Sequence, residues 1–401
     1  MSSAGTTPPP PDATPSTTQD SGSTAQDSGS ATPDSGASRG VPALPDGSGG
    51  FAAELRDAIS FRAFLLVVGG LLIQLAFIVS YLGAFHSPTP HRIPAAVVAP
   101  AQVAGKVAAQ LNGLPGEPVK AVVVADEAEA RRQIMNRTVD AAILINPAGK
   151  TDALLVASAG GPSVSQTAAQ IAQSVEKTQH RQVTVTDIKA PNKEDGRGLS
   201  SFYLVIGWVV GGYLTASILG VAGGARPVNR HRTAIRLGTL ALFAVVSGLG
   251  GAIIVDPVFS ALTGHFVALW AIGALVVFAA AAVTTALQTL CGIIGIGLSI
   301  LLFVVMGNPS AGGVYPASLL PRFWSAIGQS LPPGAGTTAV RNTVYFGGSA
   351  TSGPLWVLAA YAVAGVVVAM ATVVVRDRRA GAGAGAGTGP GAGSVAGQEP
   401  S

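Results

Sequence analysis

The sequence predicts an α-helical polytopic membrane protein with six transmembrane helices and an extracellular α/β (α+β) domain inserted between helices 1 and 2. Three observations carry this expectation. Only 11% of the 401 residues are charged and 48% are hydrophobic, whereas soluble domains carry about 25% charge, so most of the chain must face lipid. The apolar residues gather in runs that match the roughly 20 residues needed to cross a hydrocarbon core. A polar stretch with short alternating patterns, residues 86–199, separates the first run from the others.

Residues 1–50 are Ser, Thr, Pro, Gly and Asp with almost no large apolar side chains. Such a segment buries too little surface to offset its ordering entropy, so it reads as a disordered cytoplasmic tail. "FAAELRDAISFRAF" spaces Phe51, Leu55, Ile59, Phe61 and Phe64 helically between charged residues, which predicts an interfacial amphipathic helix over 51–62 or a simple extension of the first span. The first span covers 63–85; its long polar leader and lack of a small-x-small cleavage site mark an uncleaved anchor.

Within 86–199, "IPAAVVAP", "PVKAVVVAD", "VDAAILIN", "DALLVAS" and "QVTVTDI" read as strands. "AQVAGKVAAQLNG", "DEAEARRQIMN" and "SVSQTAAQIAQSVEKTQHR" read as helices, giving the order β-α-β-α-β-β-α-β. Acidic and basic residues nearly balance there, so no electrostatic binding face stands out.

Further spans follow at 201–223 and 235–255, joined by the basic loop 225–236. The run 266–307 has no charged residue, and at about 1.5 Å per residue a single helix of that length would be twice the bilayer thickness. It therefore divides into spans at 266–287 and 290–307, reversing near "TTALQTLCG". The last span is 354–375, and 376–401 reads as a second disordered cytoplasmic tail. Arg56, Arg62, "ARPVNRHRTAIR" and "RDRR" beside the span ends place both termini and the 225–236 loop in the cytoplasm of a plasma-membrane protein, with 86–199 outside.

The net charge of +4 sits at the ends of apolar runs rather than on a polar face, which argues against nucleic acid as a partner and for the lipid bilayer. No P-loop, HExxH, GxSxG or kinase motif occurs, and "PPGAGTTAVRN" lacks the phosphate-reaching lysine. The expectation is a non-enzyme with no catalytic residue, cofactor or metal site. His86 and His91 lack a third ligand nearby and read as interfacial polar residues. Cys291 is the one cysteine, a small membrane-buried residue that forms no internal disulfide. "NRT" (136–138) is a glycosylation sequon, relevant only in a eukaryotic secretory route. Ionisable groups are essentially absent from the spans, Gln74 being the clearest internal polar residue, and no matching halves appear. Both facts weaken an ion-coupled carrier. Gly207 with Gly211, and Gly292 with Gly295, have spacings suited to close helix contact.

Residues 308–353 alternate apolar pieces with proline breaks. Leu319, Leu320, Phe323, Ile327, Leu331 and Val340 would be wasted on an exposed loop. They predict short helices dipping into the membrane from outside, capped at Asn308–Pro309 and turned at Pro332, Pro333 and Gly334. Gly312, Gly313, Pro321, Trp324 and Arg341 belong to the same segment. An interfacial loop with aromatic anchors is the alternative.

The six-span layout, "VDAAILI" (139–145) and "NPSAGGVYPASLLPRFWSAIGQSLPPGAGTTAVRNTVYFGG" (308–348) resemble the ABC-2-type permease fold. The likeness is in particular to the branch with a large external domain after the first span, which includes the YhgE/Pip-like proteins and related actinobacterial membrane proteins. The resemblance implies a homodimer driven, in exporters, by a separate cytoplasmic ABC ATPase subunit; the apolar interior of the spans adds the expectation that amphiphilic, lipid-like or drug-like molecules are moved. The resemblance makes 51–62 the connecting helix and 308–348 the re-entrant pair near the exit. The loop 225–236 becomes the ATPase-coupling loop, with Arg226, Arg230, Arg232 and Arg236 facing the ATPase or anionic lipid; setting topology alone is the other role open to them. The chain has no nucleotide-binding domain and could not pump alone. Other members of the branch are linked to phage adsorption or protein secretion, so the rival expectation is a non-transporting scaffold or receptor that binds a partner through the external domain.

Overall fold

A computed structural model of the protein describes residues 61–225 and 229–386, without the side chains of Arg62 and of 380–386. The polar tail 1–50, residues 51–60 of the expected interfacial helix, Arg226 and residues 387–401 lie outside the described residues.

The first helix among the described residues, α1 (Phe61–Phe85), leads directly into an α/β domain. Its strands are β1 (Ile93–Val98), β2 (Val119–Val123), β3 (Ala141–Leu144), β4 (Thr151–Val156) and β5 (Gln182–Asp187), and its helices are α2 (Ala101–Asn112), α3 (Glu127–Met135) and α4 (Pro162–Thr178). The five strands lie in the order β2-β1-β3-β4-β5, parallel except for the β3–β4 pair. Every strand and helix that the period-2 and period-3.6 patterns predict here is present, in the predicted order.

Alternation along β1 and β3 divides the domain's core. Ala95, Val97, Ala141 and Ile143 face α2 and α4, packing against Ala108, Leu111, Ala168 and Ala172. Ala96, Ala142 and Leu155 face the other way, toward Ala130 and Ile134 of α3. That second cluster does not end in the domain. It continues through Ala159 to Val205, Trp208, Tyr345 and Phe346, so the α/β domain and the helical bundle share one hydrophobic core.

The bundle comprises α5 (Ser200–Ala222), α6 (Arg230–Ile253, continued by a π-helical turn Ile254–Val258), α7 (Phe266–Cys291), α8 (Ile294–Ser310, π-helical over Leu301–Gly307), α9 (Arg322–Gly328), α10 (Pro332–Tyr345) and α11 (Ser352–Ala386). Among the described residues five helices, α1, α5, α6, α7 and α11, are long and apolar enough to cross a membrane, which makes this a membrane-embedded polytopic protein. α8 is apolar but only 17 residues long.

Alanine-rich α7 is the central post, with α5, α6 and α11 packed on it. Glycines permit that approach. A Cβ on Gly212 of α5 would lie 2.4 Å from the Val277 carbonyl oxygen, on Gly248 of α6 2.5 Å from the Ala274 nitrogen, and on Gly365 of α11 2.6 Å from the Ala282 carbonyl carbon. Of the residues expected at close contacts, Gly295 makes one, an added Cβ lying 2.4 Å from the Leu287 carbonyl carbon of α7, and Gly211 only ordinary contact with Ser247 and Phe243 of α6 at 3.8 and 3.9 Å. Gly207 has no atom within reach of an added Cβ, and the next residue, Trp208, fills the space over Gly251 and Gly273 while donating to the Ser247 carbonyl at 3.2 Å. The hydroxyls of Thr284, Thr285 and Thr289 bond back to carbonyls four residues earlier, which satisfies them within the apolar bundle.

Several element limits differ from expectation. α7 runs to Cys291 and reverses at Gly292, whose φ of +68° suits glycine. α6 begins five residues early because Asn229 caps it, accepting from the Arg232 amide at 3.0 Å. α11 extends through Ala386, so part of the expected tail at 376–401 is helical; once a span has nucleated a helix, arginine- and alanine-rich sequence sustains it.

Candidate functional site

The segment 308–353 folds onto the bundle. Asn308 and Pro309 continue α8 instead of capping a new helix. Pro332 and Pro333 likewise open α10, where a missing amide hydrogen costs nothing, and Gly334 lies inside its first turn. The chain therefore reverses at Gln329–Leu331, before the predicted turn. All of α10 except Thr338 is buried. Trp324 of α9 lies over Gly83 of α1, and Pro321 opens α9. Pro333 packs against Gly307, while Gly313 leaves room for the Phe202 ring.

Arg341 projects from α10 into the junction between bundle and α/β domain and is 5% exposed. Its guanidinium donates to the carbonyls of Gly312 at 3.1 Å, Gly313 at 3.5 Å and Gly160 at 3.5 Å, and its Nε has no partner. Gly312 presents its carbonyl from a left-handed turn, φ +73°. Of the predicted residues in this segment, Gly312, Gly313 and Arg341 are therefore joined by direct bonds.

Arg341 lines a cavity of about 700 Å³, whose opposite wall comes from the α/β domain through His91, Arg92, Arg137, Asp140 and Gly160. Arg137 pairs with Asp140 at 3.1 Å and stacks over Phe346, 4.7 Å from the ring centroid. The bare Gly160 allows this, since a Cβ there would fall 2.4 Å from Arg137 Nη1. Arg92 pairs with Glu117 at 3.5 Å on the surface. The lining thus presents three guanidinium groups to one carboxylate. Among the described residues no group of three metal-ligating side chains exists.

The junction is fastened on several sides. Tyr345 donates its hydroxyl to Asp195 at 2.7 Å, Asn192 donates to the Ala261 carbonyl at 3.0 Å, and Ser163 donates to the Val314 carbonyl. The backbone amide of His91 bonds the Ser318 carbonyl at 2.9 Å.

The predicted basic loop divides. Arg230 and Arg232 are exposed. Arg236 is not outward-facing as expected: it is buried and donates to the Ala216 carbonyl at 2.6 Å and to Gln288 Oε1. One helical turn beyond Arg232, it has turned from the polar end of α6 into the bundle, where Gly220 leaves it room. Its role is internal, tying α5, α6 and α7 together.

A second polar cluster, in the α/β domain, went unread in the sequence. Buried Asp152 accepts from Arg181 Nε at 2.7 Å, from Arg181 Nη2 and from the Asn146 amide at 2.6 Å. Burial would raise its pKa, but these donors hold it below the ordinary carboxylate range. Glu176, buried beside it, is pushed up to about 7 by burial and by Asp152.

Comparison with known proteins supplies no relative: no family model, no curated protein and no solved structure matches the chain.

Proposed function

We propose that this chain is the permease subunit of an ABC-2-type exporter. It sits in the plasma membrane with six crossings, both termini cytoplasmic and the α/β domain outside, and moves amphiphilic, lipid-like or drug-like molecules with energy from a separate ATPase. The observation that carries this reading is the α9–α10 pair: between two apolar helices the chain folds back into the bundle and walls a polar cavity, where irregular backbone is covered by protein. The sixth crossing is supported by the course of α8. Gly297 lies near Ile73, and Val305 accepts from Ser80, so α8 runs parallel to α1 and crosses in the same sense.

Affinity purification of the tagged protein from its own membranes in mild detergent tests the reading. A stoichiometric P-loop ATPase is expected, and its recovery should fall in the double variant Arg230→Ala, Arg232→Ala, which removes the exposed charges of the coupling loop. Clean recovery without an ATPase would overturn the exporter and leave the scaffold or receptor, a reading favoured by the direct bonds that pin the α/β domain to the bundle.

The proposed homodimer meets along α1. Only 6% of the apolar stretch of this helix is buried inside the protein, and it carries the exposed amide Gln74 in mid-span, where an unpaired polar group is costly in lipid and a second copy offers it a partner. In a Cys291→Ser background, Gln74→Cys is expected to form an oxidatively cross-linked dimer in native membranes. Persistence of the monomer band alone would exclude this face.

A further inference from the structure

We propose that the junction cavity binds an anionic phosphate group, carried by an amphiphile whose chains remain in the bilayer. The inference rests on the membrane placement given above, not on transport.

Charge comes first. Arg92, Arg137 and Arg341 line the cavity with Asp140, while the Glu117 carboxylate lies 3.5 Å from Arg92 on the exposed side, outside the lining. Asp140 is taken by Arg137, and nearby Asp195 accepts from the Tyr345 hydroxyl and the Ser200 amide. Among the described residues Arg341 makes no ion pair with a carboxylate, and of its three carbonyl contacts two are long. A buried guanidinium without a counter-charge is costly, and the unpartnered Nε lies on a fork whose geometry matches phosphate.

Backbone geometry adds to this. Arg92 and Arg137 both sit at positive φ, +50° and +63°, a region that non-glycine residues seldom occupy. Both therefore carry a conformational cost at the wall of one cavity.

The level of the cavity argues for a lipid-like carrier. Gly353, Pro354 and Val357, in the first turns of membrane-crossing α11, form part of the lining. Trp356 is 76% exposed beside them, and Phe323 of α9 is 56% exposed. An exposed tryptophan marks the headgroup zone of a bilayer, its ring being apolar with one polar N–H. A molecule with its phosphate among the arginines would have its chains directed past these rings.

The test uses the purified full-length protein in nanodiscs of phosphatidylcholine, with phosphatidylglycerol added stepwise, and in phosphatidylcholine-only discs with inorganic phosphate at constant ionic strength. Thermal unfolding is the readout, since a ligand of the native state raises the midpoint. Phosphatidylglycerol is expected to raise it by several degrees. Arg92→Gln and Arg137→Gln should each shift the half-maximal lipid fraction about tenfold, whereas Lys106→Gln, exposed on α2 and outside the lining, should leave it unchanged. Arg92 is more than half exposed, so its variant tests the site even where loss of Arg341 prevents folding. If inorganic phosphate alone reproduces the shift, the phosphate site stands but the lipid carrier is overturned. Equal midpoints in the two lipids and with phosphate, or an undiminished response in both arginine variants, would overturn the proposal. A co-purifying ATPase with no lipid response would sink this inference and leave the exporter; a lipid response with no ATPase would do the reverse.

Discussion

Gly334→Ala is expected to lower stability by about 3 kcal/mol, the upper end of what an overpacked methyl ordinarily costs. An added Cβ at Gly334 would sit 2.1 Å from the carbonyl oxygen of Gly328 and 2.8 Å from its carbon, with the Cα of Ala311 behind them at 3.5 Å. These are backbone atoms and cannot swing aside. Gly328 is itself pressed on its far side, where its missing Cβ would lie 2.0 Å from the Ser310 oxygen. The end of α8, α9 and α10 are therefore stacked backbone on backbone. One methyl must displace α10 together with Arg341. Thermal unfolding in detergent checks this against Gly238→Ala, an open helical site where no atom lies within 4 Å and alanine should be neutral or mildly stabilising. Equal melting of the two variants would exclude the close stack.

The second large effect is a pH dependence of the α/β domain that Glu176→Gln should remove. The Glu176 carboxyl titrates near 7 in the folded protein against an ordinary 4.5, so between those values the native state holds a proton that the unfolded chain has lost. Its stabilising contribution is full below about pH 4.5, declines as pH rises through 7, and stays lost above it. Asp152 works in the opposite sense. Its folded value is depressed, so its contribution is present above the ordinary 3.8 and is lost as pH falls through the folded value. Hydrogen exchange of β4 and β5 should accordingly slow from pH 8 to pH 5, after correction for intrinsic rates, and the glutamine variant should be flat across that window and more protected at pH 8. Asp152→Ala should instead destabilise by about 3 kcal/mol or more, by stripping Arg181 of its partner. A wild-type profile flat from pH 5 to 8 would contradict the assignment.

What the sequence made legible follows from periodicity. The strands alternate, or run apolar, between turn residues, and the spans are long enough to announce themselves. The ends were harder: Asn229 is a recognisable cap, but overlap of loop and span in 225–236 hid it, and nothing in "RDRRAGAGAGA" marks where α11 stops. The bundle's close contacts were illegible for another reason. With 52 glycines in the chain, spacing alone could not select Gly212, Gly248 and Gly365, whose role depends on which helix they meet. Arg341 was singled out with its segment, yet its cavity partners Arg92 and Arg137 lie some two hundred residues away in sequence, and only the packing of α10 against the α/β domain brings them together. Near-neutral charge in 86–199 concealed them, because a balanced sum does not reveal that Arg92 and Arg137 face one wall.

The continuous core through Ile134, Ala159, Trp208 and Tyr345 bears on how this architecture can change over generations. A domain joined by a linker is a cassette, free to be exchanged for another or to drift in sequence on its own. Here a substitution on the inner face of α3 must be matched in helices that follow it by seventy residues or more, so the two halves are inherited as one unit, and a chimera joining this α/β domain to a foreign bundle would begin with both contact faces mismatched.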